Sequence, residues 1–360
     1  MFGGFAAAFA IVFFVTAHEA GHFFAAKAVG MKATQFFFGF GPKIWSTQRG
    51  ETEYGVKWIP LGGYVRIVGM NPLEEVAPGD AGRTYREKKF WEKSVVVLAG
   101  VGMNFLLAFL MFYGILVING VPGEPIPVVA VVVEDSPADA AGLVEGDTII
   151  SINGESVTDW TDATDALVAA GPGSAEVVVE REGETVAIEA ELVENENVPG
   201  AGFLGVSPVV PQEEIGLIQG IGLSGQLVWG AITDTFNALF NMIRPSSMAQ
   251  YIGVFFGDTD VAPEIRPVSP IGIVSIGSQV ENAAFFIGIL ASINVILATI
   301  NLLPFFPLDG GHFAVALYEK ITGRQANIRR LAPIAVAVVG LFIFLGFVAI
   351  ILDVTNPINL

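Results

Sequence analysis

His18, Glu19 and His22 stand together in the stretch FFVTAHEAGHFFAAKAVG, residues 13–30. On a helix, residues four apart share a face. Two imidazoles so placed can hold one Zn²⁺, while the carboxylate beside them accepts a proton from water; HExxH is the spacing this chemistry uses. A hydrolytic zinc site needs a third protein ligand and one open position. The chain contains three histidines and no cysteine, so the third ligand must be His312 or a carboxylate. INLLPFFPLDGGHF, residues 300–313, offers both Asp309 and His312.

The helix that must present His18 and His22 is apolar on every side, which points to a membrane span or a deeply buried core helix. Composition favours the membrane. The 360 residues are 52% hydrophobic and only 15% charged, against roughly 25% charged in soluble domains, and the mean hydropathy is +0.61. Four long runs carry no charge apart from the motif itself: 1–26 around HEAGH, 94–123, 282–308 and 331–352. Each reaches the roughly 20 residues a helix needs to cross the hydrocarbon core. The first lacks a basic leading region and carries the motif, so it reads as a retained span and not as a signal peptide. A pair of hydrogen-bonded core histidines is the bland alternative, but ionisable residues at membrane depth are costly and functional by default.

Charge orients the spans. Of 18 Lys and Arg, 11 fall in 27–93 and 4 in 320–330, whereas 25 of the 36 acids lie between 118 and 284. The positive-inside rule makes the two basic segments cytoplasmic and the acidic one external. The net charge of −18 argues against nucleic-acid binding.

Between the spans, residues 33–68 mix β-branched and aromatic residues with Gly-Phe-Gly-Pro and Leu-Gly-Gly turns, and so read as strands. They are apolar enough to dip into the membrane, where irregular backbone must be buried in protein or line a cavity. Residues 126–197 read as a strand, a Ser-Pro turn into a short helix, a strand closed by Asn153-Gly154, a helix and a hairpin. Their SPADAAGLVEGDTIISING core resembles a PDZ domain of the bacterial membrane-protease type. The stretch 215–243 is uncharged for 19 residues until Asp234 and could pass for a fifth span. One crossing there would reverse the third run and carry Asp309 to the face opposite His18, so it is expected to lie at the surface as an amphipathic segment.

With HEAGH in the first span, a PDZ-like insert, and NLLPFFPLDGGH in the third, the chain resembles the site-2 protease family of intramembrane zinc metalloproteases, RseP-like and of the single-PDZ actinobacterial type. The likeness runs end to end, through GFGPKIWSTQRGETEYGVK, PLGGYVRI and the terminal NPINL. It implies a polytopic α-helical membrane protein with four transmembrane helices, a membrane-associated β-region and one extracytoplasmic PDZ domain. The expected order is 1–30, first span with HExxH; 31–70, β-region on the cytoplasmic side; 71–93, cytoplasmic connector; 94–118, second span. The PDZ domain takes 119–207 and an extracytoplasmic or surface amphipathic segment 208–281. The third span, with NxxP and LDG, is 282–310; a cytoplasmic loop is 311–330; the fourth span is 331–353.

By that resemblance His18, His22 and Asp309 bind Zn²⁺, Glu19 is the general base and acid, and Asn301 steadies the substrate carbonyl or its oxyanion. Asn104 sits in AGVGMN, where the family shows Gly-Pro before the Asn and this chain has Val101; it would hold substrate. His312 is then a neighbour. The implied activity is cleavage of transmembrane segments of single-span membrane proteins, such as anti-sigma factors, after an extracytoplasmic cut. The implied place is the plasma membrane, with the site near the cytoplasmic side and the bilayer as partner. The rivals are a catalytically silent scaffold binding partners through its PDZ domain, and a zinc peptidase or transporter of unrelated membrane fold. The intact HExxH and Asp309 oppose the first, and LDGG with the PDZ-like insert opposes the second.

Overall fold

The computed structural model describes residues 2–71, 74–195 and 198–358; the last two residues of NPINL lie outside these. The chain divides into two compact units, residues 1–118 with 217–360, and residues 119–216.

The first unit opens with α1 (Phe2–Ala28), which carries HExxH and has Lys27 in its last turn. Two long strands follow, β1 (Ala33–Arg49) and β2 (Thr52–Ile67), joined by a turn at Gly50 and Glu51. Their pairing is folded back on itself. Phe36 faces Tyr54 on one side and Val65 on the other, so the first part of β1 is flanked by both ends of β2. That leaves the 63–67 end of β2 as an edge. Lys27 and Arg83 both reach Glu51, tying the hairpin turn to the end of α1. Those two cations hold the Glu51 carboxyl down to about 2. Then α2 (Phe90–Asn119) runs as an unbroken apolar helix.

The second unit has its own core. It begins with β3 (Val121–Pro122), β4 (Ile126–Val132) and α3 (Pro137–Ala141), whose N-cap Ser136 accepts from Asp139 N. Then come β5 (Thr148–Ile152), closed by the Asn153-Gly154 turn, and β6 (Glu155–Ser156). Next are α4 (Trp160–Ala170), started by an Asp159–Asp162 capping box, and the hairpin β7 (Gly173–Arg181) and β8 (Glu184–Glu194). Short strands β9 (Gly202–Phe203), β10 (Val206–Val209) and β11 (Gln212–Glu213) complete it. The main sheet runs β10-β4-β5-β7-β8-β9. Val129, Ile149, Ile152, Val177 and Val179 fill its interior. Each element expected for residues 126–197 is present in the expected order.

The chain re-enters the first unit at α5 (Leu217–Met242), then α6 (Pro245–Val254) and α7 (Pro270–Gln279). The stretch expected to lie at the surface is thus largely one long helix, packed through Val228, Ala231 and Ile232 against Ala108 and Phe112 of α2. It is followed by α8 (Ala283–Leu302), α9 (Asp309–Thr322) and α10 (Ile328–Thr355). Residues 282–310, expected as one span, are a helix that stops at Leu302 and a second that starts at Asp309. Pro304 and Pro307 supply no N–H and interrupt the helix between them. Residues 311–330, expected as a loop, are mostly α9. Among the described residues, α1, α2, α8 and α10 are long and apolar enough to cross a membrane.

Ala7 and Phe14 of α1 pack with Leu107 of α2 and Leu290 and Ile293 of α8, while Phe23 and Ala26 of α1 pack with Val96 and Val97 of α2. So α1 and α2 are antiparallel, and α8 runs alongside α1.

Candidate metal centre

His18 and His22 lie on α1, each 6% exposed, and His22 packs against Val96 and Gly100 of α2. Asp309, the first residue of α9, meets them there. Its Oδ2 lies 2.9 Å from His18 Nε2 and 3.2 Å from His22 Nε2, and the two Nε2 atoms are 3.1 Å apart. These three residues form the one group of potential ligands among the described residues, their atoms within 4.8 Å of one another.

The positions of these side chains have local causes. Gly100 of α2 sits so close behind His22 that a Cβ there would come 2.4 Å from Nε2; only glycine lets the helix back onto the ring. The LDGG glycines do the same for Asp309. A Cβ on Gly310 would strike Leu302 O at 2.0 Å, and one on Gly311 would strike Phe305 C at 2.5 Å. The turn after α8 therefore folds down onto the start of α9 and sets the aspartate beside the histidines.

The donor set fits zinc. His22 Nδ1 lies 2.8 Å from Val96 O; a carbonyl can only accept, so Nδ1 carries the proton and Nε2 presents a lone pair. That lone pair faces a carboxylate oxygen and the Nε2 of His18, three potential ligand atoms that one cation at their centre would bridge. Ligand atoms about 2.0–2.1 Å from a tetrahedral zinc stand about 3.3 Å apart, close to the spacings here. The carbonyl partner of His22 is the outer hydrogen bond that metal-bound histidines characteristically make.

Glu19 turns toward the sheet. Its Oε2 accepts from Val65 N at 3.0 Å, on the edge segment of β2. His312 stands apart from the ligand group, its ring 4.5 Å from Phe306 and 6.5 Å from Tyr85 between centroids. Asn301 lies half-buried in the last turn of α8, and its side chain makes no hydrogen bond among the described residues. Asn104 is 1% exposed, and its backbone carbonyl accepts from Asn294 Nδ2 at 2.8 Å. Sequence reasoning passed over Asn294, Gly100 and the Val96 carbonyl. A backbone acceptor leaves no mark in a sequence, and a glycine among Ala, Val and Gly reads as ordinary span composition.

A cavity of about 560 Å³ lies along the same edge, lined by Tyr64, Val65, Arg66, Ile67, Phe306 and His312 among others.

Residues 6–347 match the family model for peptidase family M50. The chain belongs to this family, that of the site-2 proteases. Zinc metalloprotease Rip1 of Mycobacterium tuberculosis (strain H37Rv) is 31% identical over 402 residues, covering 98% of this chain and 97% of that protein. Rip1 of Mycolicibacterium smegmatis is 30% identical over 400 residues, with the same coverage. Zinc metalloprotease RasP of Shouchella clausii is 27% identical over 425 residues, covering 97% and 95%. This M50 chain is a site-2 protease-type zinc metalloendopeptidase, zinc is its cofactor, and its apolar helices make it a multi-pass membrane protein.

Proposed function

We propose that this M50 peptidase cuts transmembrane segments of single-span membrane proteins, anti-sigma factors among them, after an earlier extracytoplasmic cut. His18, His22 and Asp309 hold the zinc and Glu19 serves as general base and acid. What carries this reading is the convergence of two imidazole nitrogens from the apolar α1 and one carboxylate oxygen from the start of α9, all within 4.8 Å.

Zinc in that position supplies Lewis acidity, polarising a peptide carbonyl and making water acidic enough to be deprotonated near neutral pH. Glu19 takes that proton and later returns it to the leaving amine. Asn301, seven residues from Asn294 and so on the same face of α8, donates its amide N–H to the oxygen that becomes negative.

A transmembrane helix keeps its carbonyls in i−4 bonds and must be unwound to be cut. The 63–67 edge of β2 can replace those bonds by strand addition. Glu19 is hydrogen-bonded to that edge at Val65, so a strand added there would pass the base. The second unit, read as a PDZ domain outside the membrane, excludes substrates whose ectodomain is still attached. The acidic charge of 119–283 against the basic 27–93 and 320–330 supports the sidedness.

The test is a strain carrying Glu19→Gln in place of the wild-type chain. Membrane peptides accumulating in that strain are compared by mass spectrometry with those of the wild type. Accumulation of single-span stubs with trimmed ectodomains is expected; identical peptide profiles would overturn the proposal.

A further inference from the structure

His22 has its outer hydrogen bond at Val96; His18 does not. Its Nδ1 is buried without a partner, and a His18 that ligates zinc through Nε2 carries its proton on Nδ1. A metal-bound imidazole almost always donates that second N–H. Two other buried atoms, on α2 and α8, are unsatisfied in the complementary sense. Asn104 Oδ1 and Asn294 Oδ1 are acceptors without donors, on residues 1% and 0% exposed. Buried polar groups left unpaired are rare and ask for an explanation.

The helix packing sets these groups at one level. Phe14 of α1 packs in the cluster containing Leu107 of α2, and a Cβ on Gly21 of α1 would touch Ala99 and Gly100 of α2. His18 lies between Phe14 and Gly21 on α1, and Asn104 lies between Gly100 and Leu107 on α2. Asn104 also continues the face of α2 that carries Val96 and Gly100, the two residues against His22. Helical side chains lean toward the helix N-terminus, which for Asn104 is the direction of Gly100 and the histidines.

We propose that Asn104 is the positioning residue for His18: its side-chain oxygen takes the Nδ1 proton, directly after a side-chain rotation or through one buried water. Asn294 holds the α2 backbone at this position through its bond to the Asn104 carbonyl. The two histidines then have matched outer partners from one face of α2, Val96 O for His22 and Asn104 Oδ1 for His18. This rests on His18 being a zinc ligand.

Zinc affinity of the full chain in detergent, measured by competition with a chromophoric chelator, tests it. Asn104→Ala should weaken zinc about 10–100-fold. Asn104→Asp, which keeps an acceptor oxygen of the same shape, should bind zinc at least as tightly as the wild type. Asn294→Ala should fall between the wild type and Asn104→Ala. Leu106→Ala, at an exposed position of the same helix, should change nothing. Wild-type affinity in a folded Asn104→Ala chain would overturn the inference. If that variant does not fold, Asn104→Asp decides, and affinity below wild type overturns it. A wild-type chain that takes up no zinc would instead overturn the ligand assignment, and this inference with it.

Discussion

Val65 donates its backbone N–H to Glu19 Oε2 at 3.0 Å, so the residue read as general base is tied to an edge of a β-sheet. This bond joins the chemistry to the surface proposed to hold an unwound substrate. Val65→Pro removes the donor and keeps a small apolar side chain. A hydrogen bond to a charged acceptor is worth about 1.5–3 kcal/mol, so cleavage should slow by about tenfold or more while zinc content stays at wild type. Cleavage rates and metal analysis on the same preparations check this, and an unchanged rate would sever Glu19 from the edge strand.

Asn301→Ala should be slow but active. Loss of one oxyanion donor costs about 2.7–4 kcal/mol, which is about 10²–10³ in rate, with zinc retained. Single-turnover cleavage of accumulated substrate, once identified, measures it. A rate equal to wild type would remove Asn301 from the chemistry.

Much of this site was legible in the sequence because the three side chains that meet there are of rare types in an apolar setting. HEAGH and LDGGH announce themselves. What holds them is less visible. Gly100 matters for the Cβ it lacks, and Val96 acts through its carbonyl, so neither leaves a residue-type signal. Residues 282–308 read as one uncharged run, and hydropathy cannot register that Pro304 and Pro307 end a helix inside it. In the second unit, by contrast, local signals sufficed. Ser136, Asp159 and Asn153-Gly154 mark two helix starts and a turn where each is found. The packing of α5 against α2 required tertiary contacts that apolar periodicity does not specify.

In that second unit, Arg181 donates to both Asp147 oxygens at 2.7 Å, and the Asp147 side chain is fully buried. The guanidinium lowers the Asp147 carboxyl below its usual range. A depressed folded value means that the pair stabilises fully above the unfolded carboxylate value, near pH 4, and loses that stabilisation as pH falls through the folded one. Asp147→Asn leaves Arg181 without its ion pair and should destabilise the second unit. Hydrogen exchange of β5 and β7 in the full chain should show lost protection at pH 7, with the difference from wild type shrinking below about pH 4. Equal protection at pH 7 would contradict this.

The sidedness can be read with single cysteines in a chain that has none. Ser174 and Ser246 are exposed, whereas Ser247 is buried against Asn241 O and would report poorly. Cysteines at Ser174 and Ser246 should label with an impermeant reagent outside intact cells, and those at Gln48 and Thr322 should not. Labelling at Ser174 without Ser246 would mean that α5 crosses once, and the orientation proposed for the third span would be wrong.

The most direct test is zinc stoichiometry of the purified full chain and two variants. The account predicts one zinc per wild-type chain, near-complete loss in Asp309→Ala, and one zinc retained in His312→Ala. Zinc retained by Asp309→Ala and lost from His312→Ala would contradict it.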